Sequence, residues 1–215
     1  LRIQPVFMHT TFQKREATSW RSWSAINSPE AAAEERQRIE KELAALTSAC
    51  DFPLEILPIQ TVTSTDEAAK VHAGDYDAVV VYPATGPRNV LLACFASQPS
   101  RDTLIFARHQ SGPLYYWYEA LSTSFLKKGE PEDYAACSAD NHGPVTVDDV
   151  VIDDYSELCW RLRALYAIKN FIGHRIVALG GAQGKYDPTA PQVARDKYRF
   201  QIVDVSYEDF AKRLE

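Results

Sequence analysis

The run Ala78-Val79-Val80-Val81-Tyr82 constrains this chain most, because it offers no polar position to turn toward water. A strand that is apolar at every residue is buried on both faces, which requires a sheet with helices packed on either side. The surrounding segments fit that demand. Ile3, Pro5, Val6, Phe7 and Met8 read as a first strand, and Ser28-Pro29-Glu30 as an N-cap, a proline at the first helical position and an acid in the first turn. The helix so opened runs to about Leu46, with Ile39, Leu43 and Leu46 on one face. Leu54 to Leu57 is a second strand, and Ser64 opens a short helix that ends at Gly74. A helix over Asn89 to Phe95 and a strand over residues 102–108 follow. Strand and helix alternate throughout, which predicts an α/β fold: a doubly wound, mostly parallel sheet of the Rossmann or flavodoxin-like kind.

Beyond His109 the pattern loosens. Leu114 to Phe125 reads as an aromatic-rich helix, Asp140 to Pro144 as a turn, and either Val145 to Val147 or Val150 to Ile152 as a strand. Glu157 to Asn170 is a helix with Leu158, Leu162, Leu165 and Tyr166 on one face, and the first domain is expected to span residues 1–170. A strand from Arg175, a glycine turn, a helix over residues 191–200, a strand over 201–206 and a helix from Tyr207 form the start of a second α/β domain, 171–215. Two βα units leave a sheet face wet, so this second domain is expected to be truncated.

Bulk composition narrows the function classes. A net charge of −6 and a pI near 5.4, with no segregated basic patch, argue against a nucleic-acid partner. No apolar run approaches the roughly 18 residues of a membrane span. The sequence opens at Leu1 without an initiator methionine, which leaves room for a removed leader. Cys50, Cys94, Cys137 and Cys159 lack C-x-x-C spacing, so neither a zinc site nor a redox pair is indicated. Free thiols are favoured over a disulfide, which leans toward the cytoplasm.

Open α/β sheets bind ligands beyond the carboxyl ends of their strands, so the loops there supply the candidates. Thr85 and Arg88 follow the central strand and suit a hydroxyl or an anion; His109 and Gln110 follow the strand over 102–108 and suit a polyol. His9 to Gln13 opens a long polar stretch carrying Trp20 and Trp23, of a length more typical of functional loops. Tyr115 to Tyr118 could stack on a sugar ring, although aromatics at helical spacing more often serve a core or an interface. The histidines form no metal-ligand pair, and adjacent acids such as Asp148-Asp149 and Asp153-Asp154 usually mark solvated loops. No G-x-S-x-G elbow is present. Gly180-Gly181-Ala182-Gln183-Gly184 follows a strand, but its spacing differs from the dinucleotide fingerprint, and Pro188 and Pro191 delay the next helix. A turn that needs glycines for geometry is the simpler reading.

The stretch Arg175-Ile-Val-Ala-Leu-Gly-Gly-Ala-Gln-Gly-Lys-Tyr186 resembles the junction into the central domain of the L-fucose and L-arabinose isomerase family. Tyr198 to Ser206 and Glu208 to Leu214 continue in the same register, and the element order before it also resembles that family's first domain. The resemblance implies aldose–ketose isomerisation at a divalent metal, usually manganese, which polarises substrate oxygens while an acid moves a proton through an enediol. The family's metal ligands correspond to nothing before Glu215, so no cofactor is expected within this chain. The opening domain would contribute a wall of the sugar pocket and subunit contacts in a homo-oligomer. By position, His109 and Gln110 are then the expected sugar contacts, with Thr85, Arg88, His9 and Gln13 behind them. A sugar-binding or regulatory α/β module without catalysis is the alternative, and a nucleotide-binding Rossmann protein a more distant one.

Overall fold

The computed structural model describes residues 1–11, 16, 25–98, 100–121 and 145–214. They form two compact units, Leu1–Leu162 and Arg163–Glu215. The expected boundary at residue 170 falls later, because one helix, Tyr155–Phe171, carries the division within it and Leu162 is its last buried residue.

The first unit is a doubly wound α/β sheet, as its sequence predicts. Six parallel strands build it: β1 (Arg2–Met8), β2 (Glu55–Ile56), β3 (Gln60–Val62), β4 (Ala78–Pro83), β5 (Asp102–Ala107) and β6 (Val150–Ile152). Their order is β2-β1-β4-β5-β6, with β3 paired to β1. Sequence reading predicts a single strand over Leu54 to Leu57, whereas β2 and β3 pair with the start and the end of β1 and are separated at Pro58. Proline has no N–H for a ladder. Its carbonyl is used instead, accepting from Gln4 Nε2 at 2.9 Å.

Among the described residues five helices accompany the sheet: α1 (Pro29–Ala49), α2 (Thr65–His72), α3 (Arg88–Ala93), α4 (Tyr116–Ala120) and α5 (Tyr155–Phe171). The two expected N-caps are in place, Ser28 Oγ accepting from Ala31 N at 3.2 Å and Ser64 Oγ from Glu67 N at 3.3 Å. Strand side chains alternate between faces. Val6, Met8, Val79, Val81 and Ile105 share a core with Ala68 and Val71 of α2 and Val90 to Leu92 of α3. On the other face the Tyr82, Phe106 and Tyr155 rings pack in series as tilted pairs, with centroids 5.3 and 4.5 Å apart, which seats the start of α5 there. Of the two alternatives for the last strand, Val150–Ile152 is the one that forms; a 3₁₀ turn, Val147–Asp149, precedes it. The aromatic helix covers Tyr116–Ala120, and the expected turn at Asp140 to Pro144 lies outside the described residues.

The second unit pairs β7 (Arg175–Leu179) with β8 (Gln201–Val205) in parallel and adds α6 (Ala190–Tyr198) and α7 (Tyr207–Ala211). None of these four elements contains a fully buried residue. Its glycine turn meets geometric demands: Gly180 and Gly181 have φ of 82° and 93°, and a Cβ on Gly180 would lie 2.6 Å from the Tyr207 ring. The turn's Ala182 N–H donates to Asp204 Oδ1 at 2.6 Å. Among the described residues no helix is long and apolar enough to cross a membrane.

Candidate functional site

The chain leaves β1 for β2 on one side and returns to β4 on the other, so the crevice between the carboxyl ends of β1 and β4 is the topological switch point of the sheet. Ligands of doubly wound folds sit at such a point. Here Met8 O accepts from Ala84 N at 2.9 Å and from Thr85 N at 3.5 Å, binding the two strand ends together. Gly86 then approaches so closely that a Cβ on it would stand 2.8 Å from Met8 Cε and 3.1 Å from Thr10 Oγ1. Its φ of 138° is a second reason for glycine.

Two buried polar atoms directly after β1, His9 Nδ1 and Thr10 Oγ1, have no hydrogen-bond partner among the described residues, and the second of them faces Gly86. Buried polar atoms are nearly always satisfied, so a pair of orphans at a switch point needs an explanation. Burial holds the His9 pKa below its ordinary value, against the opposing pull of the Glu67 carboxylate. The imidazole is therefore neutral near pH 7 and able to donate and accept. Glu67 is itself fixed by the Thr63 N–H at 2.7 Å and the Thr63 hydroxyl at 2.8 Å. Thr85 is buried at the same edge, and Arg88 is exposed at the start of α3.

His109 and Gln110 belong to a different part of the edge. Their N–H groups donate to Asp153 at the end of β6, at 2.9 and 2.8 Å, and Ser111 adds its N–H at 3.0 Å and its hydroxyl at 2.6 Å. The loop after β5 is thus drawn toward β6, and both side chains are exposed, with the His109 ring stacked on Tyr118 at 4.2 Å. Between this loop and the crevice runs the start of α4, where Tyr115 N donates to Arg108 O and Tyr116 N to Ala84 O. The structure therefore brings Thr10 and Gly86 together beside buried Thr85, turns His9 toward β3, where its backbone N–H donates to Val62 O at 3.1 Å, and sets His109 and Gln110 apart. Gln13, Trp20 and Trp23 lie outside the described residues. Tyr115 and Trp117 are buried, which gives the aromatic segment a largely core role.

Burial opposes the charge of Asp153, but the four donors of residues 109–111 outweigh it and lower its pKa to about 2. A carboxyl whose folded pKa lies below its unfolded value stabilises the fold above the unfolded pKa, and this is lost as pH falls through the folded one. Stability is expected to decline by about 1–2 kcal/mol between roughly pH 5 and 2 from this group, after allowance for solvent screening. Asp153→Asn should flatten that part of the pH profile in denaturant titrations. Asparagine tolerates the left-handed φ of 60° found at this position, so the backbone is kept, while the charge and the acceptor for one side of the turn, such as Gln110 N–H, are lost together.

Beneath the β5 loop lies a network that sequence reading does not anticipate. Arg108, wholly buried, donates to Glu35 Oε1 at 2.5 Å, to Ser111 Oγ at 3.1 Å and to Glu42 Oε2. Tyr115 Oη donates to Glu35 at 2.6 Å and Tyr155 Oη to Glu42 at 2.8 Å, while Arg38 pairs with Glu35 Oε2 at 3.2 Å. Burial disfavours the guanidinium charge, yet the neighbouring carboxylates raise its pKa overall. The network locks α1 and α5 to the strand end. An open depression of about 570 Å³ lies along α1 by Glu34, Arg38, Lys41 and Glu42, but Glu42 is already committed to Arg108 and Tyr155.

His72 is structural, its ring nitrogens meeting Tyr76 Oη at 2.5 Å and Ala93 O at 2.8 Å. Among the described residues no group of three or more His, Cys, Asp or Glu is arranged to hold a metal ion. No protein-family model and no curated protein matches the chain.

Proposed function

We propose that the first unit binds a small polyhydroxylated ligand, a sugar, at the crevice between β1 and β4, as one wall of the pocket of an aldose–ketose isomerase-like protein. The observation that carries the binding site is the orphaned Thr10 Oγ1 at the switch point against Gly86, with a second orphan, His9 Nδ1, in the preceding residue. Hydroxyls and a neutral imidazole each donate and accept, which matches sugar hydroxyls better than a single charge does. The isomerase part rests on the resemblance of residues 175–186, and with it the divalent metal, the homo-oligomer and the subunit contacts. His109 and Gln110, on their separate loop, would meet the far end of a ligand or a neighbouring subunit.

Calorimetric titration with aldopentoses, aldohexoses and their ketoses tests this reading. One of these sugars should bind, and Thr10→Val should weaken it about tenfold, the worth of one neutral hydrogen bond near the top of its range. Failure of every sugar, or binding indifferent to Thr10→Val, would count against the crevice. Ketose formation that requires Mn²⁺ in the protein as its source makes it supports the isomerase. Sugar binding unaffected by a chelator, with no turnover, supports a binding module instead.

A further inference from the structure

Cys50 and Cys159 lie 109 residues apart in sequence, with no spacing that would pair them, yet their sulfurs approach to 2.9 Å. Cys50 is the C-cap of α1, one turn beyond buried Leu46, and Cys159 sits one turn after Tyr155 in α5. Both are part-exposed, so a small reagent can reach them. A further approach of about 1 Å would reach the sulfur–sulfur bond length. The same two helices are already joined by the hydrogen bond from Tyr155 to Glu42, which keeps these faces together.

We propose that Cys50 and Cys159 form a reversible dithiol–disulfide site, oxidised by low-molecular-weight disulfides such as oxidised glutathione. One thiol loses its proton to solvent, and the thiolate attacks a sulfur of the reagent, expelling one glutathione thiolate and leaving a mixed disulfide. The second thiol, also deprotonated, attacks the protein sulfur of that intermediate and expels the other glutathione thiolate. The balance is two protein thiols oxidised to one disulfide and one glutathione disulfide reduced to two thiols, with the two protons passing to the departing thiolates. Cys94 is a built-in comparator: it is buried, and burial pushes its thiol up to about 12, so little thiolate is available there.

The intact mass of the whole chain, measured after incubation with oxidised glutathione at pH 8, should fall by about 2 Da, with one linked peptide pair containing residues 50 and 159. The melting temperature should rise by about 5–10 °C and return on reduction. Cys50→Ser and Cys159→Ser should each leave a persistent glutathione adduct on the remaining partner, with an unchanged circular dichroism spectrum under reducing conditions. A wild-type chain that keeps a glutathione adduct, stays unmodified, or links either residue to Cys94 or Cys137 would overturn the assignment. The readouts need no sugar, so they stand apart from the test of the crevice.

Discussion

Replacing Arg108 by leucine is expected to destabilise the first unit by about 3–5 kcal/mol, the usual cost of stranding a buried charge. Glu35 is 1% exposed and would keep its carboxylate inside the fold with only Arg38 and Tyr115 beside it. Glu42 would lose a partner at the same time. Urea denaturation followed by tryptophan fluorescence measures the loss. A second variant separates the penalty for a stranded charge from the worth of the pair: Arg108→Leu with Glu35→Leu removes both buried charges, and should recover a substantial part of the stability. If the double variant is no more stable than Arg108→Leu, packing around the guanidinium outweighs its charge.

Gly86→Val should have the next largest effect, and it acts on both fold and site. The substitution places a β-branched side chain at a φ of 138° and drives its Cβ toward Met8 Cε and Thr10 Oγ1. Strain at such a backbone position costs about 1–3 kcal/mol, with overpacking against Met8 in addition. The displaced Thr10 should lower sugar affinity by at least about tenfold, the scale of one lost hydrogen bond. Gly86→Ala is the milder companion, with the same order of effects and smaller magnitudes. Calorimetry on both, at a temperature where each remains folded, reads the site separately from the fold. Undiminished affinity in Gly86→Val would place the ligand elsewhere on the edge.

Much of the first unit is legible because its signals are local. The all-apolar run of β4 requires helices on both faces, and Ser28 and Ser64 announce helix starts by chemistry that acts within three residues. β3 escapes notice because it is three residues long and contributes one fully buried side chain, Val62. The Arg108 network escapes for a different reason: its partners are 73 and 66 residues away. One clue was present. Glu35 stands four residues before Ile39 on the apolar stripe of α1, and a carboxylate there demands a buried cation. Cys50 continues the stripe four residues beyond Leu46, but nothing near it in sequence points to Cys159. His109 and Gln110 stand out in sequence as polar residues directly after a strand, a local criterion that is blind to Asp153 arriving from β6. The crevice itself follows from strand order, which no single segment reveals.

Two loops that follow strands each already hold an anion of the chain's own. Asp153 fills the turn of residues 109–111, and Asp204 takes the Ala182 N–H of the glycine turn. An incoming phosphate would meet negative charge where other α/β proteins present bare amides. Like-charge repulsion from the chain's own carboxylates therefore disfavours anions at these two turns, whose amides are already occupied.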